Sequence, residues 1–204
     1  MSRKQRRPKN PYQKADRFTK KAKAEGFAAR SVYKLSEIDQ RTQLLKPGMR
    51  VLDLGCAPGS WSAYAAKKPS KVVGVDIKDV PNFPGTFIHA DIAEVSADRL
   101  REALGGAPHV VLSDMAPHTV GDKFSDHVRQ MRLAELALDR ALALLEPGGH
   151  FIAKVFDGQD APAFVQSLRA HFETVRRFKP EATRKVSREF FVLAMGYRGL
   201  SAEE

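Results

Sequence analysis

Six residues able to bind or move protons stand at the ends of short apolar runs in this 204-residue sequence. The first run leads into Asp53-Leu54-Gly55-Cys56-Ala57-Pro58-Gly59-Ser60-Trp61. Later runs finish at or just before Asp76, Asp91, Asp114 and Lys154, and the last run begins at Glu189. In an open parallel sheet, ligands bind beyond the carboxyl ends of the strands. If these runs are strands of one such sheet, and the last is reversed, acids and amines far apart in sequence converge on one rim. That chemistry would bind hydroxyl groups and a cation, and would relay or hold a proton.

The glycines narrow the ligand. Gly55 and Gly59 allow close backbone approach, which a Cβ would obstruct. Their Gly-x-x-x-Gly spacing lacks the third glycine of a dinucleotide site and the Gly-Lys-Ser/Thr ending of a phosphate loop. Asp76 follows Gly55 by 21 residues, about where an acid would bind ribose hydroxyls. An adenosine-containing ligand without a pyrophosphate fits, and S-adenosylmethionine is the obvious candidate. The plainer alternative is a tight strand-to-helix turn with Asp53 and Asp76 as caps. Trp61 reads equally as a ligand contact or a core residue. Cys56 reads as a packing residue, and the six histidines show no metal-ligand spacing, so no metal is expected. The Gly-x-Ser-x-Gly elbow of a serine hydrolase is missing.

The elements that must position these groups follow from periodicity. Strands are expected at Arg50–Leu54, Lys71–Asp76, Thr86–Ala90, His109–Ser113, His150–Val155, Thr174–Phe178 and Glu189–Tyr197. Helices are expected at Ser60–Lys67, Ala97–Leu104, Asp126–Leu145 and Ala161–His171, with a further stretch from Thr19 to Arg41 broken at Gly26. The alternation predicts an α/β fold, with a mostly parallel seven-stranded sheet covered by helices on both faces. The last two strands have no helix between them, so they should form a hairpin that makes the final strand antiparallel.

Charge is distributed unevenly. Residues 1–34 hold twelve Lys or Arg against Asp16 and Glu25, whereas the remainder carries 22 of each sign, so the net +10 resides in the first sixth of the chain. Residues 1–18 are expected to be a basic, flexible arm and residues 19–200 the folded domain. A basic arm on a neutral body suits a polyanion such as RNA, since each phosphate contact releases counterions; a solubilising tail would look similar. Tyr12 and Phe18 could stack on bases or pack on the body. The single cysteine, the lack of an apolar N-terminal stretch and the absence of a long apolar run predict a cytoplasmic protein with no membrane contact; a monomer is the default expectation, which no residue pattern decides.

Five motifs carry a family resemblance: Arg30-Ser31-Val32-Tyr33-Lys34-Leu35, Asp53-Leu54-Gly55-Cys56-Ala57-Pro58-Gly59-Ser60-Trp61-Ser62, Ser113-Asp114-Met115-Ala116-Pro117, Ala153-Lys154-Val155-Phe156 and Ser187-Arg188-Glu189-Phe190-Phe191. Over about residues 28–197 the sequence resembles the FtsJ/RrmJ family of RNA ribose 2′-O-methyltransferases, of the Rossmann-like class I type. The resemblance implies a catalytic tetrad at Lys34, Asp114, Lys154 and Glu189, with Lys34 entering only through it. It implies S-adenosylmethionine contacts at Gly59, Trp61, Asp76, Asp91 and Asp114, to which the reading of the glycine loop adds Gly55. It also implies a uridine of 23S rRNA in the large ribosomal subunit as substrate. Ser60 and His118 depart from the glycine and asparagine usual at those places. Transfer to tRNA or to an mRNA cap, and a non-catalytic ribosome-assembly role, are the alternatives. On this reading Lys154 orients the hydroxyl and takes its proton, or orients it while water takes the proton; a salt-bridge cluster holding the sheet edge is the competing account.

Overall fold

A computed structural model describes residues 16–68, 70–118 and 121–199. Most of the basic arm, including Tyr12, lies outside these residues. The elements run α1 Arg17–Ala24, α2 Val32–Thr42, β1 Arg50–Leu54, α3 Ser60–Ala65, β2 Lys71–Asp76, β3 Thr86–His89, α4 Ala97–Leu104, β4 Val110–Ser113, α5 Lys123–Leu144, β5 His150–Phe156, α6 Ala161–His171, β6 Phe172–Phe178 and β7 Glu189–Tyr197. Helix α1 takes in Arg17 and Phe18, so the folded region starts slightly before the expected arm ends. Asp16 caps that helix by accepting from the Thr19 amide, and Phe18 packs on Tyr33 of α2.

The strands form one sheet in the order β3-β2-β1-β4-β5-β7-β6. The first five neighbours are parallel. Strand β7 alone is reversed, pairing antiparallel with both β5 and β6. The reversal follows from the short link after β6, which leaves no room for a crossover helix. It brings Glu189 opposite Phe156, at the end of β5 that carries Lys154.

Side chains alternate between the two sheet faces with the strand period of two. One face buries Leu52, Val73, Val111, Phe151 and Val192 against α4, α5 and α6. The other buries Val51, Val72, Leu112, Ile152 and Leu193 beneath α2 and α3, through Leu35, Ile38, Trp61 and Ala65. Strands covered on both faces read as nearly continuous apolar runs, as these do. Among the described residues no helix is long and apolar enough to cross a membrane.

Helix α2 is the piece that carries Lys34, and its hold on the sheet depends on the fully buried Ile38. The change Ile38→Ala should lower unfolding free energy by about 2–5 kcal/mol, from lost burial plus a residual cavity. Chemical denaturation monitored by circular dichroism tests this. A loss below about 1 kcal/mol would show that α2 is not anchored by that contact.

Candidate active site

Four elements bring two amines and two carboxylates together at the rim of the sheet. Lys34 Nζ from α2 lies 2.5 Å from Glu189 Oε1 at the start of β7 and 3.9 Å from Asp114 Oδ1 just past β4. Lys154 Nζ, near the end of β5, lies 3.1 Å from the same Asp114 oxygen and donates to the Asp114 backbone carbonyl at 2.6 Å. The chain of charges thus runs Glu189, Lys34, Asp114, Lys154. Lys34 and Lys154 are both more than nine-tenths buried. Charges so far removed from water persist only when paired, and these alternate in sign.

Lys34 is placed by contacts that no motif announces. Ser60 Oγ, at the start of α3, accepts from the Ala29 amide at 2.7 Å. The Trp61 indole donates to the Ser31 carbonyl at 2.9 Å. These two bonds tie the turn before α2 to the glycine loop. The departure at Ser60 therefore has a purpose, since a glycine could not make the first of them. Trp61 is buried and packs on Phe191, with ring centroids 5.5 Å apart, and the Lys34 ammonium lies over the Phe191 ring, 5.5 Å from its centroid. Trp61 is thus a core residue that supports Lys34, and it is not among the walls of the cleft described below.

Lys154 sits where the sheet opens. Pairing of β4 with β5 ends at Ser113 and Ala153. Beyond that point the Lys154 carbonyl is satisfied by the Gln130 side-chain amide at 2.9 Å. Gln130 belongs to the inward face of α5, where the buried positions are Asp126, His127, Gln130, Met131, Ala134, Ala137, Leu138, Ala141 and Leu144. The expected helix begins at Asp126, three residues late, and its stripe is read from apolar residues without the buried polar members Asp126, His127 and Gln130. Extending the 3.6-residue period toward the N-terminus is the signal that would have found them. Asp122, which caps α5 by accepting from Ser125, sets the true start.

A cleft of about 480 Å³ opens on the other side of Asp114, walled by Gly55, Ala57, Asp76, Asp91, Asp114 and Met115, among others. Three carboxylates line it against one lysine, Lys78. That balance suits a ligand bearing positive charge and hydroxyl groups, and it disfavours a pyrophosphate. Apolar walls at Ile77, Ile92, Leu133 and Leu136 suit an adenine ring. Gly55 has φ +70°, and a Cβ there would run into the Met115 side chain, so loop and wall meet only because that position is glycine. Asp76 serves both proposed roles: its oxygens accept from the Ala57 and Lys78 amides, each at 2.8 Å, and carboxylate lone pairs remain for a ligand. Asp91 accepts from the Ala93 amide and faces the same cleft. Gly59 is not in its wall; it occupies the left-handed position, φ 89°, that starts α3. His118, the second departure, does line the cleft.

Beneath the loop, Asp53 is 1% exposed and accepts from the Ser62 hydroxyl at 2.6 Å. Burial pushes its carboxyl up to about 7, against the hydroxyl hydrogen bond and with help from Asp114. Burial also pushes the Cys56 thiol up. This agrees with a packing role beside Gly74, where a Cβ would meet its sulfur.

Comparison with known proteins agrees with this geometry. A family model of FtsJ-like methyltransferases matches residues 27–197. The chain is 48% identical over 187 residues to the ribosomal RNA large subunit methyltransferase E of Maricaulis maris, covering 90% of this chain and 67% of that one. It is 49% identical over 184 residues to the protein of the same name from Desulfosudis oleivorans, covering 87% and 88%. A crystal structure from Plasmodium falciparum, named as a ribosomal RNA methyltransferase, superposes with TM-score 0.75 at 27% identity, covering 85% of this chain and 100% of the other.

The Asp53 carboxyl gives a prediction with a definite sign. Its unfolded form ionises near 3.8, whereas the folded one holds its proton to about 7. Its contribution to stability is therefore full below pH 3.8 and lost as pH rises toward 7. Asp53→Asn keeps an acceptor for Ser62 and removes the ionisation. The variant should melt at least about 2 °C above the native protein at pH 8, with the gap closing by pH 4. Melting curves across that range with a constant difference would contradict the assignment.

Proposed function

Because the chain belongs to the FtsJ-like methyltransferase family, we propose that it moves the methyl group of S-adenosylmethionine to a ribose 2′-hydroxyl of RNA. The substrate on this reading is a uridine of 23S rRNA in the large ribosomal subunit, modified by a monomeric enzyme in the cytoplasm. The observation that carries it is the position of Lys154: its amine is fixed on Asp114, the residue that also walls the donor cleft. Relatives named for large-subunit rRNA support the choice of RNA.

The donor supplies an activated methyl on a sulfonium, so the protein's task is alignment and proton removal. Asp76 and Asp91 would hold the hydroxyl groups of the adenosine, the Gly55 loop would admit its close approach, and the Asp114 carboxylate would offset its positive charge. Lys154 donates to or accepts from the ribose oxygen, fixing it in line with the methyl. As the carbon–oxygen bond forms and the carbon–sulfur bond of the donor breaks, leaving a neutral thioether, the hydroxyl proton passes to Lys154, which must first have given up its own proton to water, and Asp114 holds the ammonium that results. Lys34 and Glu189 keep Asp114 from swinging away and close the acceptor side. No step in this sequence calls on a metal.

Lys154→Ala should reduce turnover by at least about a hundredfold, the usual contribution of a positioned general base. Affinity for S-adenosylmethionine, measured by calorimetry, should stay within about twofold of native. Equal losses in both would show that Lys154 merely builds the cleft. Mass-spectrometric mapping of ribose methylation in rRNA, with and without the protein, tests the substrate. A site appearing in tRNA or on a cap instead would redirect the reading.

The basic arm is the electrostatic part of this proposal. Removing residues 1–15 should weaken RNA binding and flatten the dependence of log affinity on log salt, because fewer counterions are released. An unchanged slope in filter binding at several salt concentrations would leave the arm with no phosphate contacts.

A further inference from the structure

A second cavity, of about 430 Å³, adjoins the first. The two share Ala116 as a wall, and the Asp114–Lys154 pair bridges them: Asp114 lines the donor cleft and Lys154 lines the second cavity, with Glu189 beside it. Away from these two residues the cavity is bounded by Phe156, Val186 and Arg188 and by Asp126 and His127 of α5. We propose that this cavity receives the base of the nucleotide whose ribose is methylated, everted from its RNA helix, and that His127 is a determinant of its fit. The assignment rests on the ribose-methylation reading and says where the rest of the target nucleotide goes.

Three observations carry it. First, the cavity lies on the acceptor side of Lys154, so a ribose oxygen held there directs its attached base either into the cavity or into solvent. Second, the walls combine apolar surface from Ala116, Phe156 and Val186 with buried polar groups. That combination fits a planar ring with polar edges. Third, Asp126 and His127 are each more than nine-tenths buried although both are polar. His127 lines the cavity with Nε2 held 3.1 Å from Asp160, while its Nδ1 is turned onto Gly158. Its ring lies directly on Gly158, where any Cβ would collide with it, so the backbone has been kept clear to admit an imidazole at this spot. Val186, 59% exposed at the mouth, offers an apolar edge over which a base would slide. A base stacked in its duplex cannot reach this space, so eversion or a single-stranded target is required.

The test compares two large-subunit particles assembled on 23S rRNA, one with intact RNA and one with RNA lacking only the base of the target nucleotide at the mapped methylation site. With the native protein, removing the base should lower kcat/KM roughly tenfold or more, in line with the worth of stacking and edge contacts. In His127→Leu and in Val186→Ala that penalty should shrink, because the contacts that the base would make are already lost. The penalty is a ratio within one protein, so partial misfolding of a variant does not alter it, and Val186 is exposed enough to substitute safely. Equal methylation of both RNAs by the native protein, or an undiminished penalty in both variants, overturns the base pocket while leaving ribose methylation intact. Failure of the native protein to methylate the intact RNA overturns the ribose-methylation reading and this assignment with it.

Discussion

Two amines and two carboxylates held out of water must neutralise one another, and the architecture of this molecule meets that demand at a single place. Glu189, Lys34, Asp114 and Lys154 alternate in sign along a short line of contacts. Removing any one of them would strand a buried partner, a loss far larger than an exposed ion pair would cause. The four come from α2, β4, β5 and β7. The quartet therefore exists only if β7 is reversed and inserted beside β5, and only if α2 lies across the sheet with Lys34 directed at its edge.

The line of charges also divides space. On one side lies the acid-lined donor cleft, and on the other a cavity with apolar walls and a buried imidazole. Asp114 and Lys154 form the partition, so two ligands that each fill one side would meet across it. The polar start of the α5 inner face serves this partition from behind: Gln130 satisfies the Lys154 carbonyl where the strands part, while Asp126 and His127 face the acceptor side. Further along, the same face turns to Met131, Ala134 and Leu138 and belongs to the core. One helix thus both packs the sheet and furnishes the site, with the change of role occurring where β4 ends.

Supporting contacts are as informative as the quartet itself. Trp61 and Phe191 form an aromatic floor under the Lys34 ammonium. Ser60 binds the turn that leads into α2. The glycine loop is consequently attached to both ligand-bearing sides: Gly55 forms a wall of the donor cleft, and the residues after Gly59 secure the lysine helix.

Every strand, and the gathering of Asp76, Asp91, Asp114, Lys154 and Glu189 at one rim, was legible from the sequence, because period-two burial and the carboxyl-end rule act locally along the chain. The reversal of the final strand was legible too, since a short link cannot carry a crossover. Family membership was readable from motifs such as Asp53–Ser62 and Ser187–Phe191. Other features were decided by packing between distant segments. Trp61 reads the same whether it faces a ligand or the core, and only α2 closing over α3 chose the core. Lys34 had no strand to place it, and its position depends on the Ala29–Ser60 and Ser31–Trp61 bonds, which join residues about thirty apart. Gln130 and His127 look like ordinary helix-surface residues until the opening between β4 and β5 turns their face inward. Periodicity reports which side of an element is buried; what it is buried against is settled only when the other elements arrive.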